Sequence, residues 1–194
     1  MICIWDAETA EFESKKKMPK GCRLVTAIGF SATGKWIAAS DAAEKITVYL
    51  FNRTGGVGPV SNVSINMKVV HLAWCPTDDN LLATAGNKHL AVYTVEKDKL
   101  GGPKKDTVTS MCSVAWANDE KYKGQLVCGG ADGKLYHKRG KDEASKPFDN
   151  NKGSVHSVAL RLEAGAELCL VGGNDKTLTA YTFAGKLSAK DKLW

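Results

Sequence analysis

One pattern recurs along this 194-residue chain at a nearly constant spacing. Each copy holds an apolar alternating run, a polar turn, a second apolar run rich in small residues, another turn and a third run that carries an aromatic residue. The third-run aromatics are separated by 44, 44, 43 and 45 residues, and they are Trp5, Tyr49, Tyr93, Tyr136 and Tyr181. First-run positions give a second ruler, with separations of 44, 42 and 44 residues between Phe30, Trp74, Trp116 and Leu160. A chain with such a period must fold as a series of similar units.

The unit is predicted to be all-β. A repeat of about 40 to 45 residues with several short strands and no helical pattern is typical of one blade of a WD40-type β-propeller. The second run is apolar on both faces, as expected for a strand packed between two neighbouring sheets. The polar segment that follows each third run contains turn signals and supplies a fourth, outer strand. We therefore predict a partial WD40-type β-propeller of about four full blades plus one partial blade, each full blade a four-stranded antiparallel sheet.

The approximate limits of the repeats are 1–20 (partial), 21–67, 68–109, 110–150 and 151–194. A seven-bladed ring with this period needs about 290 residues, so we expect these blades to be part of a larger propeller. A closed ring leaves no exposed sheet edges, whereas an incomplete one does. Self-association through those open edges is therefore a further expectation.

Short polar residues follow the second run in every copy, and these are Asp41, Asn87, Asp132 and Asp175. Their side chains are able to bond the backbone of a tight turn. We interpret them as structural residues of the blade turns rather than as ligands or catalytic groups.

The composition, 43% hydrophobic and 25% charged, is that of a globular chain, and its apolar runs are too short to span a bilayer. Six isolated cysteines without a CxxC pair, and an acidic opening segment without a signal-peptide pattern, favour a reducing cytoplasm. No GxSxG, HExxH or histidine pair at ligand spacing is present. We expect no enzymatic activity, no cofactor, no metal and no membrane partner.

A basic cluster lies in the segment from 134 to 146, with a net charge of 5 − 2 = +3. Its candidate protein-binding residues are Lys134, Lys138, Arg139 and Lys141. We expect this cluster to form a patch at the rim of one blade. Such a patch would attract an acidic partner and would weaken as salt is added.

The repeat at 71–100 has a distinctive set of residues, namely Pro76, Thr77, Asp78, Asn80, Thr84, Gly86, His89 and Tyr93. With these residues it resembles a blade of the echinoderm microtubule-associated protein-like family. The stretches GGADGKLYHKRGKD, GSVHSVALR and VGGNDKTLTAYTF are similar to later segments of the same family, and IWDAETAEF is similar to its opening block. Ordinary WD repeats are matched less well, since only Trp5 and Asp6 preserve a Trp-Asp dipeptide and no Gly-His dipeptide is present.

The resemblance implies a non-catalytic scaffold that binds tubulin or microtubules and lies on the cytoskeleton in the cytoplasm. One alternative is a general WD40 scaffold of another multiprotein complex. A less favoured alternative is an RNA-binding propeller, which rests on the net charge of +6 and predicts steeply salt-dependent binding. Binding of nucleic acid is therefore not expected.

Overall fold

The computed structural model describes residues 1–42, 47–65, 67–102, 104–105, 109–139, 146–148, 153–163, 166–184 and 187–192. These residues form five antiparallel sheets, which we number in chain order. Sheet 1 contains β1 (Ile2–Trp5) and β2 (Phe12–Lys16). Sheet 2 contains β3 (Val25–Phe30), β4 (Trp36–Asp41), β5 (Thr47–Asn52) and β6 (Ser61–Ser64).

Sheet 3 contains β7 (Val69–Cys75), β8 (Asp78–Gly86) and β9 (His89–Glu96). Its outer position is shared by two short strands that both pair with β9, namely β10 (Lys99–Leu100) and β11 (Lys104–Lys105). Sheet 4 contains β12 (Met111–Trp116), β13 (Gln125–Gly130), β14 (Leu135–Arg139) and β15 (Lys146–Phe148), with a 3-10 helix (Glu120–Tyr122) after β12. Sheet 5 contains β16 (Val155–Glu163), β17 (Ala166–Gly173), β18 (Leu178–Phe183) and β19 (Leu187–Lys192).

The prediction of an all-β chain built from four-stranded antiparallel sheets is confirmed. In sheets 2, 4 and 5 the strands pair in chain order, so that each second strand lies between the first and the third. The first two strands pair in the same register in all four complete sheets. The ladder begins at Val25, Val69, Met111 or Val155, and each ladder has an irregularity within the next two residues. The repeat of the sequence is thus a repeat of hydrogen-bond register.

The sheets stack face to face through four apolar layers, one at each junction between successive sheets. The second strand shows why this works: in β4, Ile37 and Ala39 pack in the layer with sheet 1, whereas Trp36 and Ala38 pack in the layer with sheet 3. Alternate side chains of a strand point to opposite faces, so a strand that is apolar throughout serves two junctions. The first strands β3, β7, β12 and β16 contact one another in that order, as inner strands around an axis do.

Candidate protein-interaction surfaces

The predicted turn bond is present at two of the four blade-turn residues. Asp132 accepts the backbone N–H of Lys134 at 3.2 Å, and Asp175 accepts that of Thr177 at 3.1 Å. Asp132 also accepts the hydroxyl of Tyr136 at 2.6 Å. Burial, together with this contact to Asp132, raises the pKa of Tyr136 to about 12. Both aspartates are thus engaged in structural contacts.

The other two residues occupy different places. Asp41 is not a turn residue: it is the last residue of β4, is buried, pairs with Val25 in the ladder and accepts the hydroxyl of Tyr49 at 3.2 Å. The register therefore aligns Asp41 with Gly86, one position before Asn87. Asn87 accepts the hydroxyl of Ser110 at 2.9 Å, so it connects its turn to the segment that leads into sheet 4.

The predicted basic patch is divided by the pleat of β14. Lys134 and Arg139 are exposed, but Lys138 is fully buried, so the expectation that Lys138 contributes to an exposed patch is wrong. The reason is its register: Lys138 lies opposite Leu126, a buried residue of β13, and its side chain has a partner. Lys141 lies outside the described residues. Lys134 and Arg139 are five residues apart along a strand, or about 16 Å.

Trp74 and Trp116 join neighbouring sheets by hydrogen bonds that the sequence analysis did not identify. The indole of Trp74 donates to the carbonyl of Gly29 at 3.0 Å, and that of Trp116 donates to the carbonyl of Ala73 at 2.8 Å. Donor and acceptor follow the same repeat, since each tryptophan reaches the first strand of the preceding sheet. In the sequence, the regular spacing of the first-run aromatic residues was the feature that could have indicated these two hydrogen bonds.

At the junction of sheets 4 and 5 the corresponding position is Leu160, and a buried carboxylate forms the contact instead. Glu167, at 1% exposure, accepts the backbone N–H of Asn118 at 2.5 Å, the side-chain amide of Asn118 at 2.9 Å and the backbone N–H of Asp119 at 3.1 Å. The Asn118 amide also donates to the carbonyl of Leu160 at 2.8 Å. In the sequence, the feature that could have indicated this contact was a single acidic residue at the start of the apolar run ELCLVGG.

A related but less buried contact joins sheets 2 and 3. Asp79 accepts the backbone N–H of Thr33 at 2.9 Å and also contacts the Thr33 hydroxyl. Burial opposes ionisation of Asp79, but hydrogen bonds from Thr33 outweigh it and lower the pKa of this carboxyl. At two junctions, a carboxylate at the start of the second strand of one sheet thus binds the turn that follows the first strand of the preceding sheet.

The four histidines are engaged in hydrogen bonds within or between sheets. Their partners are Val114 N–H for His71, the Thr84 hydroxyl for His89, the Gln125 side chain for His137 and the Ser154 hydroxyl for His156. Within the ranges that the structure describes, no group of three or more His, Cys, Asp or Glu side chains is arranged to hold a metal ion. The histidines therefore act as structural residues that stabilise the sheets and their contacts.

Exposed aromatic residues lie on and beside the two-stranded sheet 1. Trp5 and Phe12 stack edge to face with ring centroids 5.3 Å apart, and both are about half-exposed. Next to them, a shallow depression of about 380 Å³ is lined by Trp5, Phe30 and Arg53, among others. The Arg53 guanidinium lies over the Phe30 ring and forms a bidentate pair with Glu13 at 2.9 and 2.6 Å. Tryptophan and arginine are the residue types that dominate protein-binding energies, so this region is a candidate contact surface.

Comparison with known proteins identifies the architecture. Among solved structures, the β-propeller domain of Myceliophteria thermophila Cps50 (Swd1) is similar with a TM-score of 0.73 and 14% sequence identity, over 98% of this chain and 64% of that chain. The chain has a WD40-type β-propeller fold. Among curated proteins, the ciliary WD repeat-containing protein ctxp80 of Euplotoides octocarinatus is 29% identical over 161 residues, which cover 80% of this chain. No protein-family model matches the chain.

The structural match shows the β-propeller fold, and the curated relative is by its name a WD repeat protein. The match to ctxp80 covers only 22% of that protein, so the WD40 propeller described here corresponds to about a fifth of the curated relative. Among the described residues there is one helix, which is three residues long and therefore too short to traverse a bilayer.

Proposed function

We propose that this WD40 propeller is a non-catalytic protein-interaction scaffold that binds a cytoskeletal protein, with tubulin as the first candidate. The observation that carries the scaffold role is the use of the sheet faces. At four successive junctions the faces pack against each other, so strand ends, turns and outer strands remain as the surfaces for a partner. Side chains that other folds use for catalysis, such as Glu167 and His71, bond neighbouring sheets here.

A cytoskeletal partner is supported by two independent likenesses. The sequence resembles microtubule-associated protein-like propellers across nearly its whole length, and the curated relative is by its name a ciliary protein. Cilia are built on microtubules, so both likenesses point towards the same class of partner. A cytoplasmic location on the cytoskeleton is part of this proposal.

The proposed contact uses the exposed basic residues of sheet 4. Lys134 immediately precedes β14 and Arg139 is its last residue, and both are open to solvent. Tubulin has a strongly acidic surface and acidic tails, so positive charge on this strand would increase the rate of encounter. Lys138 is excluded from the contact by its burial.

The test is retention of purified tubulin by the immobilised chain at stepped salt concentrations. Reversal of both charges in the Lys134→Glu/Arg139→Glu variant is expected to weaken retention by about tenfold and to reduce its salt dependence. The matched control is Lys15→Glu/Lys20→Glu, which makes the same charge change at exposed positions on and after sheet 1 and is expected to leave retention within about twofold.

Equal losses in the two variants would show that net charge, and not β14, governs binding. Absence of tubulin retention by the native chain would overturn the tubulin proposal and would favour a scaffold of another complex. Retention of RNA with a steep salt dependence would favour the nucleic-acid alternative.

A further inference from the structure

One end of the stack carries an exposed lysine between the second and third strands of each of sheets 3, 4 and 5. These lysines are Lys88 between β8 and β9, Lys134 between β13 and β14, and Lys176 between β17 and β18. Lys68 precedes β7 at the same end of the stack and is exposed as well. We call these four residues the lysine face.

The same backbone hydrogen bond holds each of the three turns in place. The donors are the N–H groups of Asn87, Ala131 and Asn174, and the acceptors are the carbonyls of Lys68, Ser110 and Ser154, at 2.9, 2.8 and 3.0 Å. In every sheet the acceptor is the residue immediately before the first strand. The three turns therefore have fixed positions on the stack, and packed sheets lie about 10 Å apart.

The carboxylates in these turns bind groups of their own turn. Asp132 accepts the backbone N–H of Lys134 at 3.2 Å through one oxygen and the hydroxyl of Tyr136 at 2.6 Å through the other. Asp175 accepts the backbone N–H and the hydroxyl of Thr177 at 3.1 and 2.7 Å. Both oxygens of each carboxylate thus have donors that are not lysine ammonium groups.

Ion pairs are found at the opposite end of the stack. There Arg53 pairs with Glu13 at 2.6 Å, and Lys123 pairs with Asp78 at 3.8 Å. Among the residues that the structure describes, no acidic side chain pairs with a lysine of the lysine face. The ammonium groups of this face are therefore available to an anionic partner.

Two of the lysines have a backbone conformation that favours glycine. The φ angle is 48° at Lys88 and 57° at Lys176. In the register of the first two strands, Lys176 corresponds to Gly133 of sheet 4, where φ is 80°, and the lysine of that turn comes one residue later. A left-handed conformation is costly for a residue with a Cβ atom, and residues held in it are concentrated at functional sites. A role of the side chain outside the turn accounts for lysine at these two positions.

The spacing of the turns fits an extended chain of negative charges. Lys88 and Lys176 are separated by two sheet-to-sheet intervals, or about 20 Å. An extended peptide rises about 3.3 Å per residue, so about seven residues cover this span. A carboxylate-rich segment of that length reaches all three turns at once.

Single-stranded nucleic acid has similar charge but is bound largely through aromatic side chains on which its bases stack. The exposed aromatic residues of the described chain are at the other end of the stack. Trp5 and Phe30 are the last residues of β1 and β3, and Phe12 pairs with Trp5. The lysine face thus has the charge for an anionic chain without the stacking surface, which favours an acidic peptide.

We infer that the lysine face binds an extended acidic peptide segment, which crosses the turns of sheets 3, 4 and 5. The ammonium groups of Lys88, Lys134 and Lys176 pair with its carboxylates, and Lys68 adds a fourth positive charge beside the first turn. The inference shares Lys134 with the tubulin contact proposed above, but it does not rest on tubulin as the partner.

The probe is a fluorescein-labelled peptide of eight consecutive glutamates, compared with one of four. Fluorescence anisotropy with the whole chain is expected to give a dissociation constant on the order of 10 µM at about 50 mM salt, and at least about tenfold weaker binding at about 300 mM. The peptide of four glutamates spans two turns at most, and we expect it to bind at least about tenfold more weakly than the longer one.

Two glycine variants remove the charge without disturbing the turns. Lys88→Gly and Lys176→Gly are each expected to weaken the eight-glutamate peptide about threefold to fivefold, and the double variant at least about tenfold. Glycine adopts positive φ readily, so the urea midpoint of both variants is expected to hold or to rise. Weaker binding together with undiminished stability is the result that distinguishes a binding role from a structural one.

The matched control is Lys97→Gly. Lys97 is exposed and has a φ of 49°, but it lies in the turn between β9 and β10 at the opposite end, where Glu96 and Asp98 flank it. This variant makes the same change of charge and the same change of backbone freedom. We expect it to alter peptide binding by less than about 1.5-fold.

Several outcomes would overturn the inference. Equal weakening by Lys97→Gly and Lys88→Gly would show that net charge governs binding, and a lower urea midpoint of Lys88→Gly and Lys176→Gly would give these lysines a structural role. Absence of peptide binding by the native chain would also overturn it. An eight-residue oligothymidylate that binds more tightly than the peptide would assign the face to nucleic acid. A chain that binds the peptide but does not retain tubulin would overturn the tubulin contact alone.

Discussion

The junction of sheets 3 and 4 and the junction of sheets 4 and 5 solve the same problem with different chemistry. At the first, Trp116 donates to the carbonyl of Ala73 and His71 accepts the N–H of Val114, so both contacts are hydrogen bonds of neutral groups across inner strands. At the second, Leu160 replaces the tryptophan, and Glu167 receives three N–H groups from the turn after β12.

The comparison shows that the fold fixes where a junction needs polar contacts but not which residues provide them. Each inner strand is an edge strand of its own sheet, so backbone groups such as the Ala73 carbonyl and the Val114 N–H are able to bond side chains of the neighbouring sheet. Orientation between sheets depends on a few such bonds in a largely apolar layer. A buried hydrogen bond to a charged group contributes more than one between neutral groups, and its loss leaves buried donors unpaired. We therefore expect the junction of sheets 4 and 5 to depend more strongly on a single residue.

The largest effect is expected for Glu167→Ala. It removes an acceptor of three N–H groups in a site with 1% exposure, and we expect it to lower the free energy of unfolding by about 3 to 4 kcal/mol. Urea denaturation followed by fluorescence measures the change. Asp79→Ala is the matched control, because it removes a carboxylate with the same role at a half-exposed site, where we expect a loss of about 1 kcal/mol. Equal costs for the two variants would contradict the stronger dependence on Glu167.

An intermediate effect is expected for Trp116→Phe. Aromatic packing is largely retained, but the Ala73 carbonyl loses its donor, and we expect a cost of about 1.5 to 2 kcal/mol. The control is Trp36→Phe, since Trp36 is equally buried but its indole nitrogen has no hydrogen-bond partner among the described residues. Urea midpoints of both variants measure the difference, which we expect to be about 1 kcal/mol. Similar midpoints would show that the ring, and not the indole N–H, stabilises the junction.

Much of this architecture could be predicted because it is carried by period and alternation. Equal spacing of the aromatics predicted the equivalent register of four sheets, and runs that are apolar throughout predicted second strands packed on both faces. The prediction of an exposed basic patch was wrong at Lys138 because successive side chains of a strand point to opposite faces. Lys138 is therefore buried, whereas the next residue, Arg139, is exposed.

Contacts between sheets were harder to predict than the sheets themselves. Glu167 and Asn118 are 49 residues apart, and no local pattern marks them as partners. Asp41 was misplaced because the second run of its repeat ends in aspartate where the others end in glycine. In the register it lies one position before Asn87 and two positions before Asp132 and Asp175. A single sequence shows which unit repeats, but the side chains that replace one another between units are visible only in three dimensions.

The smallest effect is expected from pH, and it distinguishes the two junctions. Burial lowers the pKa of His71 below its ordinary value of about 6.5. The unfolded chain therefore binds more protons than the folded chain just below pH 6.5, so the free energy of unfolding falls as the pH drops through this value towards the folded pKa. Each unit of pKa difference corresponds to about 1.4 kcal/mol.

The variant that isolates this effect is His71→Asn, which keeps an oxygen acceptor for Val114 and removes the titration. Urea midpoints measured from pH 7.5 to 5 are expected to decline less steeply in the variant than in the native chain. The two proteins differ only at position 71, so the difference between the two curves belongs to His71. The junction of sheets 4 and 5 has Ser113 at the corresponding position, so Ser113→Ala provides a control whose curve should run parallel to the native one. Parallel curves for His71→Asn and the native chain would show that acid acts on the stack elsewhere than at the junction of sheets 3 and 4.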